Sequence, residues 1–181
     1  MIQSVSLQIV SSCQMKDPGS SNDIPAWRKP IDGFCSARPV TAILKKIMPP
    51  LDRLLMRLTG GRIAMTRSLG MPTLLLTSTG RKSGLARSAP LLYVRNGEDL
   101  AIIGTNFGST SYPAWYLNLM ANPNGSVLLD KETFAVTARK ATPEEREKLW
   151  EKATRLYGGY DKYKPRVGDR EIPILVLSKS P

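Results

Sequence analysis

Apolar and polar positions alternate differently in different parts of the chain. From Thr73 onward, short apolar and β-branched runs are separated by turn residues, which is the pattern of strands. The runs are Thr73–Ser78, Ser88–Arg95, Asp99–Thr105, Ser126–Asp130, Thr133–Arg139 and Ile172–Leu177. Asn96-Gly97-Glu98 reads as the hairpin joining the second run to the third, and Lys131-Glu132 as the one joining the fourth to the fifth. Two helical patterns interrupt the series. Pro113–Asn122 opens on a proline and is halted by Pro123. Pro143–Tyr157 follows a capping box, Thr142-Pro143-Glu144-Glu145, and ends at Gly158-Gly159. Leu149, Trp150, Ala153, Leu156 and Tyr157 form its apolar stripe. About six strands with two or three helices predict an α+β fold, a small antiparallel barrel with helices at its margins.

Ahead of the strands lies a basic amphipathic stretch. Ile43, Ile47, Leu51, Leu54, Leu55 and Leu58 fall close to helical spacing, with Lys45, Lys46, Arg53 and Arg57 between them. Pro49-Pro50 is expected to divide this helix, and Gly60-Gly61 to stop it. Two readings stand: a helix covering one end of the core, or a surface resting on anionic membrane. Residues 1–40 mix Ser, Gly, Asp and Pro without periodicity and read as a poorly ordered extension, with Trp27 docking elsewhere, ahead of one domain over 41–181.

Composition narrows the chemistry. The 181 residues suit a single domain, and no apolar run approaches the ~20 residues of a membrane-spanning helix. The start lacks a charged-then-apolar secretion pattern, so a cytoplasmic location is expected, with peripheral contact at the inner face of the cell membrane if the basic helix meets lipid. Cys13 and Cys35 form neither a disulfide framework nor a short-spaced ligand pair. Histidine is absent, which removes the commonest metal ligand and the commonest general acid–base, so no metal site is expected. The net charge is +11, and residues 41–70 alone hold six basic groups against one acidic. That excess favours an anionic partner.

Three segments carry candidate chemistry. Thr77–Pro90, TSTGRKSGLARSAP, concentrates hydroxyls, glycines and the cations Arg81, Lys82 and Arg87, suited to an anion but not spaced as a nucleotide P-loop. Gly104-Thr105-Asn106-Phe107-Gly108 runs from a strand end toward the helix of Ala114, Trp115, Tyr116, Leu117 and Asn118, placing free backbone N–H groups beside a helix start. Tyr157, Tyr160 and Tyr163 recur at spacing three. They share a helix face if the helix continues, and form a mobile aromatic flap if the glycines break it.

The order and wording of these segments resemble the deazaflavin-dependent nitroreductases, also called F420H2-dependent quinone reductases. The resemblance rests on TSTGRKSG with Arg87 and Pro90-Leu91-Leu92-Tyr93, on Asn106-Phe107-Gly108, and on Pro113–Leu119 with Ala121-Asn122-Pro123. It continues through Ala141-Thr142 with Glu144-Glu145-Arg146 and Trp150, the three tyrosines, and Arg170-Glu171-Ile172-Pro173, covering about residues 41–178. It implies a split β-barrel, FMN-binding-like in architecture, that binds coenzyme F420. By position, Arg81, Lys82, Ser83 and Arg87 would meet the phosphate and the carboxylate-rich tail. Ser88, Ala89, Pro90, Leu91, Leu92, Ile103, Gly104, Thr105, Asn106 and the Ala114–Asn118 segment would line the deazaflavin and its ribityl chain. Thr105-Asn106 stands where the family can hold a Ser-Lys pair, which removes one ionic contact. The implied activity is hydride transfer from reduced F420 to a flat acceptor, a quinone above all and a nitro compound adventitiously. Tyr160 would orient the acceptor and supply a proton, and Tyr157 and Tyr163 would shape the pocket. The rival readings are an FMN-binding split-barrel oxidoreductase and a basic, non-enzymatic nucleic-acid- or membrane-binding domain, the nucleic-acid form of which no recognised motif supports.

Overall fold

The computed structural model describes residues 38–180. Six strands, β1 (Thr73–Thr79), β2 (Ala86–Asn96), β3 (Asp99–Ile103), β4 (Asn124–Leu129), β5 (Glu132–Lys140) and β6 (Ile174–Lys179), form an antiparallel barrel. Its order is β1-β2-β3-β6-β5-β4, closed by pairing of β4 with β1. Five helices surround it: α1 (Arg38–Leu58), α2 (Met65–Ser68), α3 (Ala114–Ala121), α4 (Pro143–Leu156) and α5 (Gly159–Tyr163).

Strand periodicity builds two cores at once. Leu100 and Ile102 of β3, with Leu175 and Leu177 of β6, join Leu74, Leu76 and Val127 inside the barrel. The intervening Ala101, Ile103, Ile174 and Val176 form a second cluster with Leu149 and Ala153 of α4 and the three tyrosines. Strands buried on both faces read as unbroken apolar runs, as β3 and β6 do. Trp115, Tyr116 and Leu119 bring α3 into the inner core, and Met56 of α1 packs on Leu75 of β1.

The expected strands are present, with ends shifted by a few residues. Two local expectations fail. Pro49-Pro50 does not divide the amphipathic stretch, because α1 runs unbroken through both prolines. A proline's fixed φ is compatible with a helix, so what the pair removes is two N–H donors rather than the helical path. The second hairpin turns at Asp130-Lys131, not Lys131-Glu132: Leu129 faces Glu132, and the two residues between them both have positive φ, the type I′ geometry that matches strand twist. The extension read over residues 1–40 lies, but for its last three residues, outside the described residues.

The capping box of α4 is made in full. The Thr142 Oγ1 accepts from Glu145 N at 3.3 Å, and Glu145 Oε2 accepts from Thr142 N at 2.9 Å. Arg139 donates to both Glu145 oxygens, at 2.6 and 2.7 Å, and Asn96 Nδ2 to Oε1 at 3.1 Å. The Arg139 guanidinium first, then the Thr142 N–H, hold the Glu145 carboxyl down at about 2. A carboxyl depressed by folding stabilises the fold above its ordinary titration range, and that contribution fades as pH falls toward the folded value. Glu145→Gln is therefore expected to destabilise the fold near neutral pH by under about 1 kcal/mol, for so solvated an ion pair, and so to lower the melting temperature. The deficit should close as melts are taken down toward about pH 2; a deficit independent of pH would show that the charge is irrelevant.

Candidate functional site

Strand β2 is shared unevenly. Its first seven residues, Ala86–Leu92, pair with β1 alone, and β3 joins it only from Tyr93. The other edge of that first half borders a cavity of about 1030 Å³, at the upper end of the roughly 300–1,000 Å³ of small-molecule clefts. Pro90, which has no N–H to donate, is tolerated in such an edge. Side chains alternate across β2. Ala89 and Leu91 pack on the barrel core, whereas Ser88 bonds to Thr77 (2.9 Å) and to Arg57 of α1 (3.0 Å).

The Gly80–Gly84 turn closes one end of the cavity. Gly80 N donates to Leu85 O at 2.8 Å and Gly84 N to Gly80 O at 2.7 Å, with Gly84 in the left-handed region at φ +68°. Arg81, Lys82 and Ser83 stand exposed on this turn, beside Arg87, and all four line the cavity. Asn118, buried on α3, fixes the turn to the barrel. Its Oδ1 accepts from Arg81 N at 3.1 Å, and its Nδ2 donates to Ser78 Oγ at 3.3 Å. A buried amide on an otherwise apolar helix is thereby satisfied.

The loop after β3 forms a further wall. Asn106 and Phe107 have φ of 50° and 56°, and Gly108 follows at 76°, a strained run for non-glycine residues that clusters at sites. Arg170 holds it. Its guanidinium donates to the carbonyls of Gly104 (3.0 Å), Thr105 (2.9 Å) and Ser109 (3.0 Å) and lies over the Tyr112 ring. Desolvation in this position lowers the Arg170 pKa from its ordinary value. Asn106 spends its Nδ2 on Ser111 O at 3.0 Å.

The tyrosines are neither a helix continuation nor a flap. α4 ends at Leu156, Tyr157 caps it, and α5 starts at Gly159. All three rings are buried in the outer core, with the Tyr157 and Tyr163 hydroxyls 3.1 Å apart. A Cβ on Gly159 would stand 2.3 Å from the Tyr157 ring; the glycine serves close packing, not freedom. Burial, then the neighbouring Tyr163, pushes the Tyr160 phenol well above its ordinary pKa.

Of the residues singled out in the sequence, Arg81, Lys82, Ser83, Arg87 and Ser88–Leu92 line this one cavity, as do Ile103, Thr105, Asn106, Ala114, Trp115, Asn118 and the three tyrosines. Gly104, Tyr116 and Leu117 do not. Gly104 points its N–H at Pro173 O (2.8 Å), and helical periodicity turns Tyr116 and Leu117 onto the barrel core. Sequence reasoning missed the contribution of α1. Its Ile43, Ile47, Leu54 and Leu58 are each more than half exposed, whereas Leu44, Met48, Asp52, Arg53 and Arg57 face the cavity. Asp52 is buried and accepts from Met65 N at 2.7 Å, which ties α1 to α2. A buried Asp within an amphipathic run was the one signal available.

A split barrel with a cationic turn, an open strand edge and an aromatic wall defines a cofactor-binding oxidoreductase. The description "F420H(2)-dependent quinone reductase" belongs to the family model that matches residues 52–179. The chain is 33% identical over 124 residues to the F420H(2)-dependent quinone reductase Rv1261c of Mycobacterium tuberculosis, covering 67% of this chain and 83% of that protein. It also matches a solved F420-H2 dependent reductase, FDR-A, at 36% identity and a TM-score of 0.54, over 59% of this chain and 94% of the other. The chain belongs to the F420H(2)-dependent quinone reductase family. It is thus an oxidoreductase, and coenzyme F420 is its cofactor. Among the described residues no helix is long and apolar enough to cross a membrane.

Asn118→Ala removes the tie between turn and helix and strands Arg81 N without its acceptor. The expected cost is about 1–3 kcal/mol of stability, read by denaturant unfolding, with faster hydrogen exchange at the Arg81 amide. Unchanged exchange would mean that the turn holds itself.

Proposed function

We propose that F420 lies along the open edge of β2 and that its hydride passes to a quinone seated against the tyrosine cluster. The observation that carries this reading is that one cavity reaches from the cationic turn at Arg81 and Lys82 to the buried Tyr160. The residues fit the cofactor. A phosphate and a carboxylate-rich tail need several exposed cations near backbone that permits close approach, which Arg81, Lys82 and Arg87 beside Gly80 and Gly84 provide. A flat ring needs a slot with apolar and aromatic walls, which Pro90, Leu92, Trp115 and the tyrosines provide. When bound, reduced F420 supplies the hydride.

The chain's own residues bind, orient and exclude water. Ser83 and the three cations anchor the tail end, and Ser88, Thr105 and Asn118 border the polar side of the ring. α1 covers the outer face of β2 and sheds water from the cavity. Burial raises the pKa of Tyr160 and keeps its phenol protonated. It is therefore suited to donate a hydrogen bond to the acceptor oxygen where negative charge develops, and is a weak proton source. A flat nitro compound meets the same donor and slot.

The exposed aliphatic row of α1, Ile43, Ile47, Leu51, Leu54 and Leu58, with Lys46 and Arg62 exposed beside it, favours peripheral contact with anionic lipid. This would place the cavity wall at the bilayer surface, where a lipid-dissolved quinone is available.

Arg81→Ala with Lys82→Ala should weaken F420 binding by about tenfold or more per lost charge-assisted contact, measured by fluorescence titration; unchanged affinity would make the turn a mere hairpin. Tyr160→Phe should lower quinone turnover on the order of a hundredfold, leaving F420 affinity in place, and a wild-type rate would remove the donor role. The full chain should sediment with phosphatidylglycerol vesicles at low salt and not with phosphatidylcholine, and Leu54→Ser with Leu58→Ser should release it. Equal behaviour on both vesicles would end the lipid reading.

A further inference from the structure

The cavity holds more positive charge than the cofactor's anchoring turn explains. Besides Arg81, Lys82 and Arg87, it is lined by Arg53 and Arg57, one helical turn apart on α1. Its one carboxylate, Asp52, is committed to Met65 N and to Thr66 Oγ1. Neither arginine has a carboxylate partner among the described residues. Arg57 donates to the neutral Ser88 hydroxyl, and Arg53 Nε is buried with no hydrogen-bond partner at all. A guanidinium N–H taken out of water and left unpaired is costly, and an unpaired buried polar group in a native fold calls for an explanation.

The two arginines reach the cavity from α1 rather than from the anchoring turn. Arg57 holds Ser88, the residue after Arg87 on β2. Asp52, one residue from Arg53, is bonded through Thr66 to Thr73, which pairs with Leu92. α1 therefore runs along the stretch of β2 from Ser88 to Leu92, with Arg57 at Ser88 and Arg53 nearer Leu92, which packs with the tyrosine cluster. Their guanidiniums stay charged at any working pH and present a planar fork that matches a carboxylate or sulfonate.

We propose that Arg53 and Arg57 form a second anion seat, which selects acceptors carrying an acidic group, a carboxylate or sulfonate, beside the flat ring. This rests on the reading of the cavity as the F420 and acceptor site. The seat takes no part in bond making. It binds the acidic substituent and leaves the acceptor's ring against the tyrosines.

The test uses the full chain loaded with reduced F420 and two probes, a naphthoquinone carboxylate and its methyl ester, which differ only in charge. The wild-type protein should prefer the carboxylate in kcat/KM by about tenfold or more, the worth of a charge-assisted contact. In Arg53→Gln with Arg57→Gln that preference should collapse toward unity, and Arg53→Lys with Arg57→Lys should retain part of it, which separates lost charge from lost packing. Direct calorimetry of the carboxylate probe on the oxidised F420 complex should show the same loss of affinity. Equal use of both probes by the wild-type protein would overturn the seat. A double variant that loses F420 affinity while keeping the carboxylate preference would assign the arginines to the cofactor and overturn it equally. Failure of F420 to bind the wild-type chain would instead sink the underlying reading, and the titration reports that separately.

Discussion

The two-residue period of β2 is the constraint on which the rest of the structure depends. Ala89, Leu91 and Tyr93 pack on the barrel core, and Ser88, which alternates with them, bonds to Thr77 and Arg57. A register slip of one residue would exchange these sets, burying Ser88 in an apolar core and withdrawing Leu91 from it. Pairing of Ala86–Leu92 with β1 alone then leaves one edge free while the barrel still closes through β3, β6, β5 and β4. Closure protects the remaining strand edges from association. The open edge of Ala86–Leu92 borders the cavity that α1 and the tyrosines also line.

Local ties convert that opening into a site. Asn118 binds the cationic turn to α3, and Arg170 binds the left-handed Asn106–Gly108 run through three carbonyls. Asn118 is buried and satisfied by the Arg81 N–H and the Ser78 hydroxyl, and the half-buried Arg170 is satisfied by carbonyls, so the loops they hold are positioned rather than merely tethered. On the opposite side the tyrosines are fixed by burial and ring contacts; Tyr157 and Tyr160 meet edge to face at 5.4 Å. Binding energy is then not spent on ordering these walls.

Much of this was legible in the sequence, for physical reasons. Strands β3 and β6 announce themselves as apolar runs, and the Thr142 capping box fixes the start of α4 within a residue. The cationic turn and the Trp115–Asn118 segment could be found because glycines, hydroxyls and charges are unusual between strands. What the sequence hid was direction. The Ile43–Leu58 stripe looks like a helix's buried face, yet it faces outward, because the cavity side of α1 is built from Leu44, Met48, Asp52 and Arg53. Periodicity gives a helix's faces, not which of them meets the core. Likewise the glycines before Tyr160 suggested mobility, and only the 2.3 Å approach of the Tyr157 ring reveals the packing role of Gly159. The resemblance placed Tyr116 and Leu117 at the ring with Trp115, and helical rotation packs them on the barrel core.

On the proposed reading, the cationic turn of this barrel, Arg81, Lys82 and Arg87, selects a deazaflavin with a polyanionic tail over a flavin mononucleotide. Side-by-side titration of the purified full chain with oxidised F420, reduced F420 and FMN tests it most directly. Saturable F420 binding at one per chain, with FMN failing to bind or compete, is the expected result. A yellow protein that retains FMN through purification and ignores F420 would contradict it.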